Sequence, residues 1–190
     1  MLIRRLTLPL LLALAAVVGS AQEPGPTKPA PESGFRRKGI DGKTYDSAAM
    51  KGDVLVVSFG ATWCVPCTWE LVAIEELKEE FAGKPVRFFW VSVEDPKRAS
   101  DNILRHFARE RRLTIPVLRD PASETFLRYE RTTRLPVLVF FDREGRFDSP
   151  AHRGMSQDTT LYKQMVRARV NALLASAAPA DAGARAVSDR

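Results

Sequence analysis

Cysteine is scarce in this sequence. Two occur in 190 residues, Cys64 and Cys67, with only Val65 and Pro66 between them. A bridge between them would close almost no loop, so it would do little as a brace for the folded chain. Histidine is equally scarce, and His106 and His152 share no ligand-type spacing. Structural zinc needs four ligands, which this chain does not offer in a recognisable pattern. Covalent haem attachment needs a histidine directly after the second cysteine, where Thr68 stands. No cysteine follows the N-terminal apolar run, which excludes a lipidated cysteine anchor. The run itself, Leu6 to Val18, is short of the ~20 apolar residues a membrane span needs. Basic residues are not interleaved with aromatics, and the formal charge is only +6, so nucleic acid is not an expected partner.

What is present at the N-terminus sets the compartment. Arg4 and Arg5 precede the apolar run, and small residues Gly19 and Ala21 follow it. This is the pattern of a secretory signal peptide over residues 1–21, with an uncleaved anchor through residues 6–18 as its rival. Removing residues 1–21 takes away two arginines and no acid, which leaves +4. Residues 22–33, "QEPGPTKPAPES", form a Pro-rich linker. Residues 176–190 are an Ala-rich tail with no apolar period. Residues 34–175 remain as one domain, long enough for a real core.

Within that domain, "VLVVSFG" from Val54 and "VRFFWVSV" from Val86 are unbroken apolar runs, which suit strands covered on both faces. Between them Glu70, Ile74, Leu77 and Phe81 recur at helical spacing, and Gly83 ends that helix. Asp95 and Pro96 read as the start of a second helix running to about Arg112, with Ile103 and Phe107 inward. A short extended "TIPVLRD" and a brief helix "ASETFLRY" follow. Val137 to Asp142 and a strand from Arg146 read as a hairpin about Arg143 to Gly145. A last helix carries Leu161, Met165, Val166, Val170 and Leu173. The order is an α/β pattern: a central sheet with helices on both faces and an antiparallel hairpin at one side.

The cysteines fall where a buried strand hands over to a helix. Unpaired backbone N–H groups and the positive end of the helix dipole favour a thiolate there. Cys64, nearer the helix end, is therefore expected to be the nucleophile, and Cys67, deeper in the helix, the resolving thiol. Pro66 suits the first turn, where a missing N–H costs little. A lone thiolate pair can also take copper(I), so a carrier or redox-inert adaptor stays open beside the reaction centre.

"WCVPC" after an apolar strand, the segment Pro85 to Tyr129, and "RLPVLVFFDREGR" together resemble the thioredoxin superfamily. They are similar to its TlpA/ResA-like branch of exported, often membrane-tethered thiol–disulfide oxidoreductases. The likeness runs in order from Gly34 to Leu174 and implies a thioredoxin-like three-layer fold with that branch's extra β-α insertion. It implies that Cys64 and Cys67 cycle between dithiol and disulfide, with no other cofactor and no metal. It implies a cis Leu135–Pro136 peptide facing the cysteines and offering backbone to an extended client. Ser58 stands where thioredoxin carries a buried acid, and Glu70, three residues after Cys67, is expected to exchange protons with the Cys67 thiol. Trp63 and Pro66 are expected to touch the client, while Trp69 and Trp90 are read as packing residues.

A peroxiredoxin reading fails, because Ala61 occupies the position three before Cys64 where that family has Thr or Ser. The likeness favours reduction of disulfides in exported proteins, such as apocytochrome haem sites during cytochrome c maturation, or copper-site proteins. A membrane electron-relay protein would re-reduce the pair. Oxidase or isomerase action is the alternative direction. The expected place is the periplasm or the outer face of the cytoplasmic membrane, and the expected state is a monomer.

Overall fold

The computed structural model describes residues 34–131, 134–155 and 157–176. The segments expected to be a signal peptide and a linker, and nearly all of the expected Ala-rich tail, lie outside the described residues. Two three-residue strands come first, β1 (Arg36–Lys38) and β2 (Thr44–Asp46), followed by a 3-10 turn over Ser47–Met50. Then come β3 (Val54–Gly60), α1 (Val65–Glu80), β4 (Val86–Ser92), α2 (Asp101–Glu110), β5 (Val117–Arg119) and α3 (Phe126–Tyr129). The hairpin strands β6 (Val137–Phe141) and β7 (Phe147–Arg153) and the helix α4 (Thr159–Ala175) complete the order.

The five-stranded sheet runs β5-β4-β3-β6-β7. Strands β3, β4 and β5 are parallel, and β6 and β7 are joined antiparallel beside β3. Because β3 is central and wholly buried, its side chains alternate between two cores. Val54 and Val56 face one core with Ile74, Leu77, Leu104, Phe107, Val166 and Val170, which brings α1, α2 and α4 onto that face. Leu55, Val57 and Phe59 face the other, closed by Phe35, Phe126 and Tyr129. The layers are therefore uneven. Three helices cover one face, while the short α3 and the N-terminal arm cover the other.

The arm is fastened by charge as well as by apolar burial. Arg37 donates from Nη2 to the buried Asp120 at 2.9 Å and to Glu124 at 3.1 Å, and its Nε also meets Thr125. Tyr129 donates its hydroxyl to the Gly34 carbonyl at 2.7 Å.

Two helix readings are corrected. Helix α2 begins at Asp101, capped by Ser100, whereas Asp95 and Pro96 lie in a preceding turn. The inward stripe also differs from the expected one: Leu104 and Phe107 are buried, while Ile103 is 47% exposed. In α4 the inward series starts at Tyr162, followed by Val166 and Val170 at strict four-residue steps, and Leu161 is exposed.

Candidate active site

Strand β3 ends at Gly60, and after the loop Ala61, Thr62 and Trp63 the chain reaches Cys64, the cap of α1. The connecting loop is pinned by Glu94, just past the end of β4. Thr62 donates its backbone N–H to one Glu94 oxygen and its hydroxyl to the other, both at 2.8 Å. Val93 N–H donates to the Gly60 carbonyl at 3.1 Å. The cysteines are thus set at the carboxyl ends of the parallel strands, the edge at which open α/β sheets place their sites.

Cys64 is the N-cap of α1 and its backbone is extended. Its Sγ accepts the Cys67 N–H at 3.2 Å, an orphan donor of the first turn. Pro66 lies in that first turn. The two sulfurs are joined as a disulfide with Cα atoms 5.2 Å apart. Cys64 is 5% exposed and Cys67 is 0% exposed. A partner can therefore approach Cys64 more readily than Cys67.

The surroundings bring the other expected residues near. Leu135 packs against Ala61, Cys64 and Cys67, and its peptide bond to Pro136 is cis. The Pro136 carbonyl is taken by the Gly154 N–H at 2.8 Å. A second cis bond, Ser149–Pro150 in β7, is not foreshadowed by the sequence reading. Trp63 stands 70% exposed beside Cys64, and Val65 is exposed next to it. Trp69 is half-buried and Trp90 wholly buried.

Glu70 lies one helical turn beyond Cys67 and has no exposed surface. Residues three apart on a helix share a face, so its carboxyl and the Cys67 sulfur side lie one above the other. Ser58 donates its hydroxyl to Glu70 Oε2 at 2.5 Å. Tyr162, from α4, donates to Oε1 at 2.8 Å. Burial pushes the Glu70 carboxyl up to about 7, against the pull of those two hydrogen bonds. Burial, followed by the Glu70 carboxylate itself, pushes the Tyr162 phenol well above its ordinary range. Near neutral pH the buried carboxyl can therefore either take or give a proton.

Sequence reasoning did not find Tyr162 or Glu94. Tyr162 carried a signal, since it stands four residues before Val166 in the stripe. Glu94 also carried one, as an acid just past the carboxyl end of a parallel strand. His152 is half-buried with its ring 5.7 Å from that of Tyr162, and burial lowers its pKa. Among the described residues no group of three or more His, Cys, Asp or Glu side chains is placed to hold a metal ion.

Taken together, a helix-capping sulfur, a deeper partner sulfur and a buried carboxyl that titrates near neutrality can carry out dithiol–disulfide exchange. Comparison with known proteins agrees with that chemistry. The thioredoxin-like protein YneN of Bacillus subtilis is 35% identical over 88 residues, 45% of this chain and 49% of YneN. The chain thus spans about half the length of that relative. Sporulation thiol-disulfide oxidoreductase A of the same organism is 25% identical over 139 residues, 73% of this chain and 82% of that protein. Among solved structures, a thioredoxin-family thiol:disulfide interchange protein from Chlorobium tepidum superposes with a TM-score of 0.63 at 22% identity. That superposition covers 78% of this chain and 98% of the other, and it establishes the thioredoxin-like fold. The AhpC/TSA family model matches residues 26–148, more than half of the sequence, and the chain belongs to that family.

Proposed function

We propose that this protein is a thiol–disulfide oxidoreductase of the bacterial cell envelope that reduces disulfides in exported proteins. The observation that carries the reading is the Cys64 sulfur at the α1 N-cap with the Cys67 sulfur behind it. The names of relatives such as sporulation thiol-disulfide oxidoreductase A support the same class.

In the reduced protein the Cys64 thiolate attacks one sulfur of a client disulfide. A Cys64–client S–S bond forms, the client S–S bond breaks, and the departing client thiolate takes a proton. Cys67 then gives its proton to the Glu70 carboxylate and attacks Cys64 Sγ. The Cys64–client bond breaks, the second client thiolate takes a proton from solvent, Glu70 returns its proton to solvent, and two electrons have passed from the pair to the client. The dithiol of a membrane electron-relay protein restores the pair by the reverse exchange. Trp63 and Val65 give the client an apolar landing beside Cys64, and the Leu135–Pro136 segment borders the same sulfurs.

The N-terminal signal pattern supports an extracytoplasmic location, and maturation of cytochrome c is the client pathway that fits a reductase there. Two assays test the reading. The reduced wild-type protein should accelerate insulin reduction in the presence of dithiothreitol. A Cys67→Ser variant in the native host should retain clients on Cys64 as mixed disulfides. Absence of both turnover and trapped disulfides would overturn the proposal. A measured potential near −120 mV, the oxidising end of the superfamily, would reverse the assigned direction.

A further inference from the structure

Trp90 is wholly buried in β4, and among the described residues its indole Nε1–H has no hydrogen-bond partner. An orphaned buried donor costs roughly 1–3 kcal/mol, so its position calls for an explanation. Its neighbourhood supplies one. A Cβ added at Gly60 would lie 2.6 Å from Trp90 Nε1 and 3.2 Å from Cys67 Sγ. The indole nitrogen and the resolving sulfur therefore flank the same bare Cα, no further apart than those two distances combined. Any larger residue at position 60 would wedge between them.

The sheet explains the geometry. Trp90 pairs in register with Ser58, two residues before Gly60 on the same face of β3. The Trp90 ring is held at 5.1 Å, stacked on Phe107 of α2, so its direction is fixed by packing. From β3 outward, Ser58 meets Glu70 and Gly60 meets Cys67, one helical turn apart. The resolving cysteine thus has a carboxyl on one side and an N–H on the other.

In the disulfide form Cys67 Sγ is tied to Cys64 Sγ and carries no charge, and the indole N–H makes no hydrogen bond to it. Once the S–S bond breaks, the Cys67 sulfur can become an anion on the Gly60 side that the indole nitrogen also flanks. We propose that Trp90 is a positioning residue whose indole N–H becomes the hydrogen-bond donor to the Cys67 thiolate after the disulfide opens. This rests on the thiol-exchange reading above. The division of labour follows: Glu70 accepts the Cys67 proton, and Trp90 holds the anion left behind. The titratable groups around Cys67 are Cys64 and Glu70 on its own helix and Tyr162 of α4, which acts through Glu70. Glu94, from the end of β4, is turned to Thr62 and Ser92.

The test replaces only the N–H. Benzothienylalanine incorporated at position 90 keeps the two fused rings and puts sulfur where the N–H was, and Trp90→Phe is the simpler companion. Cys67 ionisation is followed by thiolate ultraviolet absorbance in a Cys64→Ser background. A charge-assisted hydrogen bond is worth roughly tenfold in an equilibrium constant, so the analogue should lower the Cys67 ionisation constant by about that factor. Resolution of a preformed mixed disulfide should slow about threefold at neutral pH. The more basic thiolate regains part of the loss through nucleophilicity, so above the pKa of both proteins the order should invert, with the analogue resolving about threefold faster. Thermal unfolding of the oxidised form should shift upward with the analogue, because a buried unpaired donor is removed and no bond is lost there. An ionisation constant moved less than twofold, or equal destabilisation of oxidised and reduced forms, would overturn the proposal. If Trp90→Phe fails to fold, the isosteric analogue still decides. The titration needs no client, so it reports on Trp90 even if wild-type protein proves inactive in insulin reduction.

Discussion

At the scale of single residues, the site depends on a carboxyl kept where carboxyls are rarely neutral. Glu70 is raised from its ordinary 4.5 to about 7 by burial. Between those two values the folded protein holds a proton that the unfolded chain has released. Stability must therefore fall as pH rises through that window and level off above it. A shift of this size corresponds to about 3 kcal/mol. Urea unfolding of the oxidised protein from pH 4.5 to 8 should show that decline, and Glu70→Gln should flatten it. A Glu70→Gln curve parallel to wild type would show that another group is responsible. The sequence reading reached Glu70 because its helical register with Ile74 and Leu77 pointed it inward. It did not reach the partners. Ser58 was noticed as a missing acid, yet nothing local says that its hydroxyl meets a glutamate twelve residues on. Trp90 read as a large apolar residue, because an unpaired N–H is invisible without neighbours.

At the scale of elements, α1 and α4 form a clamp around the buried carboxyl. Lys163 pairs with Glu76 and Arg167 with Glu80 along their outer edge, and Tyr162 reaches Glu70 inside. Exposed pairs of this kind contribute little, so the inner hydrogen bond is the specific link. Tyr162→Phe removes a bond that favours the Glu70 carboxylate. The Glu70 titration should therefore move above its wild-type midpoint near 7. Carbon NMR of labelled glutamate would show this, and a midpoint unchanged or lowered would refute the clamp. Elements defined by long apolar runs were legible: β3 and β4 appear where "VLVVSFG" and "VRFFWVS" stand. Elements defined by pairing alone were not. Strands β1 and β2 have three residues each, "RRK" and "TYD", and no periodicity can show in so few. The start of α2 moved because both Asp95 and Ser100 are good caps, and only tertiary packing chose between them.

At the scale of the whole molecule, the N-terminal arm closes the face of the sheet that the long helices leave uncovered. Its fastening is Arg37 on Asp120, a carboxylate with no exposed surface that also accepts the Thr125 and Phe126 backbone N–H groups. Removing one partner of a buried pair strands the other. Arg37→Ala should therefore destabilise the fold by about 3 kcal/mol in urea titration while leaving the Cys64 titration unchanged. A loss below about 0.5 kcal/mol would mean the arm is held by Phe35 and Tyr129 alone. This separation of scaffold from chemistry explains why the cysteine motif was easier to read than its support. The motif is local in sequence, whereas the supporting contacts join residues up to 95 positions apart.

The exchange chemistry depends on the state of one sulfur. The α1 N-terminus should hold Cys64 as a thiolate well below the free-cysteine value of about 8.5. Alkylation of the reduced Cys67→Ser protein across pH measures this directly. A single inflection at least one unit below that value is expected. An inflection at or above about 8.5 would contradict it.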